Sequence, residues 1–161
     1  MIKNKKIICI IPARLQSTRF PQKVLANILN KPLLQWVWQA AKNTDMFDDI
    51  IFAIDSELTA DLIKTFGGKF LMTPTSCQSG TQRLVNVMQL GKISGDIWVN
   101  WQADEPLINK KMIKTLLQSC HKNDANVWTL KNKITNVCEI NDPNFAKVVC
   151  DNNGQALFFS R

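Results

Sequence analysis

The residues that most constrain this chain are Ile7-Ile8-Cys9-Ile10-Ile11-Pro12-Ala13, followed by Arg14-Leu15-Gln16-Ser17-Thr18-Arg19-Phe20-Pro21-Gln22-Lys23. The nearly unbroken β-branched run reads as a strand buried on both faces, the kind found in a mostly parallel sheet. The strand is expected to stop at Pro12. Behind it stand the cations Arg14, Arg19 and Lys23, with the hydroxyls of Ser17 and Thr18 between them. Pro32 suits the first turn of a helix, so the cations fall on a loop rather than on the helix that follows. In open α/β sheets, the loop at a strand's carboxyl end is where ligands bind. Cations, hydroxyls and free backbone N–H groups together suit a polyphosphate. A solvated loop with incidental basic residues satisfies the same pattern.

The rest of the chain repeats the alternation of strand and helix. Leu33, Leu34, Trp36, Val37, Ala40 and Ala41 fall on adjoining faces of a helix. Residues 50–54 form a second buried strand, and Asp55-Ser56 can cap the helix after it. Leu58, Leu62, Ile63 and Phe66 give that helix an apolar stripe, and Gly67-Gly68 ends it. Residues 69–72 make a short third strand. Leu84, Val85, Val87 and Met88 mark a helix, residues 97–100 a fourth strand, and Met112, Ile113, Leu116, Leu117 and Cys120 another helix. Residues 125–130 are expected as a strand, and residues 146–150 and 155–159, joined by Asp151-Asn152-Asn153-Gly154, as a hairpin. About four strand–helix units predict an α/β fold, a mostly parallel sheet flanked by helices with a β-hairpin at the end. A length of 161 residues suits one domain with a real core.

Composition removes several classes of function. No apolar run approaches the roughly 20 residues of a membrane span, and the basic start, Met1-Ile2-Lys3-Asn4-Lys5-Lys6, leads to no signal-peptide cleavage pattern. Five cysteines, at positions 9, 77, 120, 138 and 150, show no Cys-x-x-Cys spacing, and His121 stands alone. That argues against structural zinc and for reduced thiols in the cytoplasm. The net charge of +7 fits nucleic acid or a small anionic substrate. The lysines are scattered, and Trp36, Trp38, Trp98, Trp101 and Trp128 fall mostly in expected core elements, so no nucleic-acid strip is formed. No membrane or nucleic-acid partner is expected.

Two further loops follow strands and should gather at the same sheet edge as the first. One runs from Thr73 to Arg83, and its Ser79-Gly80-Thr81 opens a helix whose free N–H groups favour anionic ligand atoms. A helix cap without a ligand accounts for the same residues. The other carries Asp104-Glu105-Pro106. A carboxylate there, facing a cationic loop, is a natural Mg²⁺ ligand, although Asp104 can equally stabilise a turn. Convergence of the three would supply the parts of a nucleoside-triphosphate site.

The sequence Ile11-Pro12-Ala13-Arg14 with Ser17-Thr18-Arg19, Pro21 and Lys23 resembles the opening signature of nucleotidyltransferases that activate acidic sugars. Met72-Thr73 with Gln78-Ser79-Gly80-Thr81 and Arg83, then Asn100, Gln102 and Asp104-Glu105-Pro106, narrow the resemblance. Asp142-Pro143-Asn144, Lys147-Val148-Val149 and Ala156-Leu157-Phe158-Phe159-Ser160-Arg161 carry it to the end of the chain, toward the 3-deoxy-manno-octulosonate (Kdo) cytidylyltransferases. The resemblance implies a Rossmann-like nucleotidyltransferase domain over residues 1–161 that lacks the family's C-terminal third. It implies transfer of CMP from CTP to Kdo, for lipopolysaccharide synthesis, with Mg²⁺ as cofactor and a homodimer for the full-length protein. Arg14, Lys23 and Asp104 match catalytic positions, Asp104 as the metal ligand. Ala13, Arg14, Arg19, Lys23, Thr73, Ser79, Gly80, Thr81 and Arg83 match nucleotide-binding positions, and Gln102 and Arg161 those that hold the sugar acid. A CMP-sialate type cytidylyltransferase and a non-catalytic remnant of the Kdo enzyme are the alternatives. The sequence departs from the family pattern at Gln22 and Ala103, where glycine is usual. It also carries Cys77 in place of histidine and Gln82 in place of an acidic residue. If the glycine at 103 is left-handed, alanine there costs roughly 1 kcal/mol or more and shifts Asp104.

Overall fold

The first strand, β1 (Ile7–Ala13), is buried at every residue, because it is covered on both faces of the sheet. In the computed structural model, which describes residues 5–16, 20–122 and 124–161, Ile7, Cys9, Ile11 and Ala13 join one core cluster. Ile8 and Ile10 join a second cluster on the opposite face. That alternation is the period of two expected of a strand. The strand does not stop at Pro12 as expected, but runs through it, with Pro12 opposite Ala53 and Ala13 opposite Ile54. The Ile10 carbonyl accepts from Trp101 on the side of β6 (Ile97–Asn100). Backbone polar groups alternate sides along a strand, so position 12 faces the same side, beyond the last β1–β6 pair, Ile10 with Asn100. The N–H that proline lacks would have had no ladder partner there.

After β1 come a single 3₁₀ turn, Lys23–Leu25, and a small antiparallel pair, β2 (Asn27–Ile28) and β3 (Lys31–Pro32). The turn between these strands places Leu29 and Asn30 at positive φ. Helix α1 (Leu33–Thr44) starts directly behind Pro32, as expected. It is followed by β4 (Asp49–Ile54), α2 (Glu57–Thr65), β5 (Lys69–Met72), α3 (Gly80–Gln89), β6 and α4 (Lys110–Ser119). The four longer strands form one parallel sheet in the order β5-β4-β1-β6. Residues of α1, α2 and α4, among them Leu34, Val37, Ala60, Ile63, Ile113 and Leu117, cover one face. Leu84 and Val87 of α3 cover the other. This is the α/β architecture that the alternation of elements predicts.

Two expectations about helix faces are corrected. Leu58 belongs to the expected stripe of α2 but is half exposed, while Thr59, Ala60 and Ile63 are the buried residues. In α3, Val85 and Met88 face outward, and Arg83 is buried beside Leu84 and Val87. Gly67, at φ 75°, and Gly68 close α2 through hydrogen bonds to the carbonyls of Lys64 and Ile63, as expected.

Contacts divide the chain into a unit ending at Asp124 and a second unit, Ala125–Arg161. In the second unit, residues 125–130 form no strand, contrary to expectation, and lie largely exposed. β-branched composition cannot make a strand without a neighbouring ladder to pair with. A short helix α5 (Cys138–Asn141) precedes the expected hairpin of β7 (Lys147–Cys150) and β8 (Ala156–Ser160). Its turn is closed by the Asp151 N–H donating to Gln155 and by Gly154 at φ 86°.

Candidate active site

The chain leaves β1 toward β4 and β5, then returns to β1's other edge as β6. Connections diverge at that reversal, leaving a crevice at the carboxyl ends of β1 and β6. A cavity of about 450 Å³ opens there, lined by Pro12, Arg14, Phe20, Lys23, Val24, Cys77, Gln78, Ser79, Gly80, Arg83, Gln102, Ala103 and Asp104. The three loops singled out in the sequence therefore meet around one space.

Each wall is held by local structure. Gln22 sits in the left-handed region at φ 53°, and the Lys23 N–H donates to the Phe20 carbonyl. This turn sends Lys23 across the crevice, where its Nζ lies 2.6 Å from Asp104 Oδ2. Both side chains are about half exposed, so solvent screens the pair and it adds little to stability. The loop that carries Asp104 is anchored by Trp101, 1% exposed. Its backbone N–H donates to Ile10, and its indole N–H donates to the Glu105 carbonyl at 3.0 Å. The Glu105 N–H then closes a turn onto Gln102. Loss of water contact, and after it the charge of Asp104, hold the Glu105 carboxyl above its ordinary range. Ala103 is buried, and it is not among the described residues with positive φ. The anticipated strain at position 103 is therefore absent; among the family's usual glycines, it is Gln22 that occupies a left-handed position.

The start of α3 forms the third wall. Ser79 Oγ accepts from the Gln82 N–H, and Gln82 Oε1 accepts from the Gln78 N–H. Ser79 thus satisfies one free donor of the first turn, and Gln82 reaches back to the residue before the cap, a variant of the capping box. The amide of Gln82 performs this without an acidic group. At Gly80, a Cβ would lie 2.9 Å from Pro12 Cγ, too close for the helix to approach the strand as it does.

A second space, about 580 Å³, adjoins the first behind Arg14, between the carboxyl ends of β1 and β4. Arg83 and Cys77 border both. Arg83 is 2% exposed. Its Nη2 pairs with Asp55 Oδ2 at 2.6 Å, and its Nη1 donates to Thr73 Oγ1 at 2.6 Å. Asp55 does not cap α2. Ser56 does so, accepting from the Leu58 N–H.

The sequence model of the family described as Cytidylyltransferase matches residues 8–161. The chain belongs to the cytidylyltransferase family. The 3-deoxy-manno-octulosonate cytidylyltransferase of Vibrio vulnificus (strain YJ016) is 45% identical over 153 residues, which cover 94% of this chain and 61% of that protein. The enzyme of that name from Francisella tularensis subsp. novicida (strain U112) is 48% identical over 155 residues, with the same coverage. The chain thus spans about 61% of the length of these curated relatives. A solved structure of CMP:2-keto-3-deoxy-manno-octonic acid synthetase complexed with CTP superposes with a TM-score of 0.83 at 34% identity. The match covers 96% of this chain and 64% of that one. A cytidylyltransferase from Leptospira borgpetersenii shares the fold, at TM-score 0.62 and 19% identity.

Within this cytidylyltransferase fold, Arg14, Lys23, Ser79, Gly80, Arg83, Gln102 and Asp104 border the crevice cavity together. Ala13 is buried at the end of β1, 1% exposed. Thr73 is buried, with its hydroxyl donating to Ile54 and accepting from Arg83. Thr81 is exposed in the first turn of α3. Ser17, Thr18 and Arg19 lie outside the described residues. Arg161 ends the second unit and is exposed. Asp55, Trp101 and Phe20 are the residues of this region that sequence reasoning assigned to other roles or passed over. The position of Asp55 directly behind β4, at the same sheet edge as Arg14, was the available signal. Among the described residues, no three His, Cys, Asp or Glu side chains gather as a metal site, and Asp104 supplies the carboxylate of the crevice.

Proposed function

We propose that the crevice binds CTP and that the whole protein transfers CMP from CTP to 3-deoxy-D-manno-octulosonate, releasing pyrophosphate. The observation that carries this reading is the meeting of Arg14, Lys23, the start of α3 and Asp104 around one switch-point cavity. Relatives 45% and 48% identical to this chain are named for that reaction. In the transfer, the anomeric hydroxyl of the sugar acid attacks the α-phosphorus, and the bond to the departing pyrophosphate breaks. Such chemistry rests on positioning and charge. Arg14 and Lys23 offset the charge of the triphosphate and of the leaving group. The first turn of α3, with Ser79 and Gly80, offers polar groups to the nucleotide. Gln102, on the wall formed behind β6, orients the sugar acid.

A single crevice carboxylate fits Mg²⁺, because this ion keeps its waters and takes one or two carboxylates together with substrate phosphates. Asp104 is the residue that would hold it, on release from Lys23. When bound, the ion supplies positive charge against the phosphate oxygens. The reading further includes a cytoplasmic homodimer. No helix among the described residues is long and apolar enough to cross a membrane.

Calorimetric titration of CTP, UTP, ATP and GTP, each with Mg²⁺, tests the nucleotide. CTP is expected to bind at least tenfold more tightly than the purine nucleotides. Equal affinities would leave only a generic phosphate site. Pyrophosphate release by the full chain that depends on both CTP and Kdo tests the transfer; release with a sialic acid in place of Kdo would reassign the acceptor.

A further inference from the structure

The last β1–β4 pair is Ala13 with Ile54. One step beyond it the ladder has no backbone acceptor for Leu15, and the Asp55 side chain takes that place: its Oδ1 accepts from the Leu15 N–H at 2.9 Å. The other oxygen of the same carboxylate holds Arg83, whose guanidinium grips Thr73 Oγ1 and the Pro74 carbonyl. Thr73 closes the circuit, since both its N–H and its hydroxyl donate to the Ile54 carbonyl. One buried circuit thus joins the residue after Arg14, the ends of β4 and β5, and the first turn of α3. The Arg83 and Asp55 side chains are 3% and 11% exposed.

We propose that Asp55 is a positioning residue: it fixes the backbone directly behind Arg14, and Arg83 acts through Asp55 rather than as a ligand of the phosphates. Charge supports this division of labour. The guanidinium of Arg83 is buried against a carboxylate and two further acceptors, whereas Arg14 is exposed at the cavity and free to meet an anion. A buried pair of this kind is retained for geometry more than for stability, because desolvation cancels much of the Coulomb attraction. Its consequence for affinity rests on the CTP reading above. Its consequence for the Leu15 amide does not.

The test compares two double variants of the full chain, Asp55→Asn with Arg83→Gln and Asp55→Ala with Arg83→Gln. Both remove the ion pair, and the amide pair of the first can still take the Leu15 N–H and reach Thr73. Amide hydrogen exchange without nucleotide is expected to show Leu15 protected at least tenfold more in the unsubstituted protein and in the Asn variant than in the Ala variant. Titration with inorganic tripolyphosphate is expected to give at least tenfold tighter binding for the Asn variant than for the Ala variant. Equal tripolyphosphate affinities in the two doubles would overturn the proposal. So would a Leu15 amide that exchanges at the rate of an unstructured peptide in the unsubstituted protein, an outcome that needs no variant to fold. If the unsubstituted protein binds neither tripolyphosphate nor CTP, the nucleotide reading falls, and amide exchange alone decides the role of Asp55.

Discussion

Replacing Gly80 by alanine sets two known effects against each other at the wall of the crevice. Alanine in place of glycine in a helix interior gains up to about 1 kcal/mol, and less in a first turn such as this one. Against it stands the added methyl, 2.9 Å from Pro12 Cγ and 3.4 Å from Gln102 Oε1. Gln102 can turn aside, but Pro12 is locked within β1 between its paired neighbours. Ordinary contact begins near 3.4 Å, so the start of α3 must move by about half an ångström. Overpacking of that kind costs about 1–3 kcal/mol. The net expectation for Gly80→Ala is a loss of about 1–2 kcal/mol, which lowers Tm by roughly 2–4 °C per kcal/mol in a chain of this size. The same movement shifts Ser79 at the crevice wall, and on the proposed CTP reading the affinity for CTP should fall roughly tenfold. Thermal denaturation and calorimetric titration read the two effects separately. A Tm at or above that of the unsubstituted protein would refute the contact argument. A lowered Tm with unchanged CTP affinity would refute its connection to the site.

Gln22→Gly should stabilise the protein by up to about 1 kcal/mol in denaturant unfolding, because glycine removes the left-handed strain at φ 53°; a loss of stability would show that Gln22 contributes contacts that outweigh it. Thr59→Val should also stabilise, by about 1 kcal/mol, since Thr59 is fully buried and its hydroxyl finds no partner among the described residues. A destabilised valine variant would reveal a hydrogen bond to that oxygen. Asp104→Asn should leave unfolding stability within about 1 kcal/mol, the pair with Lys23 being half exposed, while turnover of the full chain falls by orders of magnitude. Near-normal turnover at limiting Mg²⁺ would reduce Asp104 to a turn residue.

The sequence alone determined the elements whose cause is local. The apolar run of β1 needs cover on both faces, Pro32 and Ser79 set helix starts, Gly67 and Gly154 set turns, and alternation of strand with helix dictates a parallel sheet. It also brought the three loops of the crevice together, because loops behind parallel strands collect at one sheet edge whatever the strand order. Tertiary structure decided what depends on neighbours in space. Whether residues 125–130 form a strand turns on a partner that their sequence does not contain. Whether Pro12 ends β1 turns on which side its missing N–H would face, and Leu58 is exposed because the sheet selects another face of α2. Arg83 and Asp55 show the difference most sharply. Asp55 reads locally as a helix cap and Arg83, by resemblance, as a nucleotide-binding position, and only the ends of three strands brought side by side turn them into a buried pair behind Arg14.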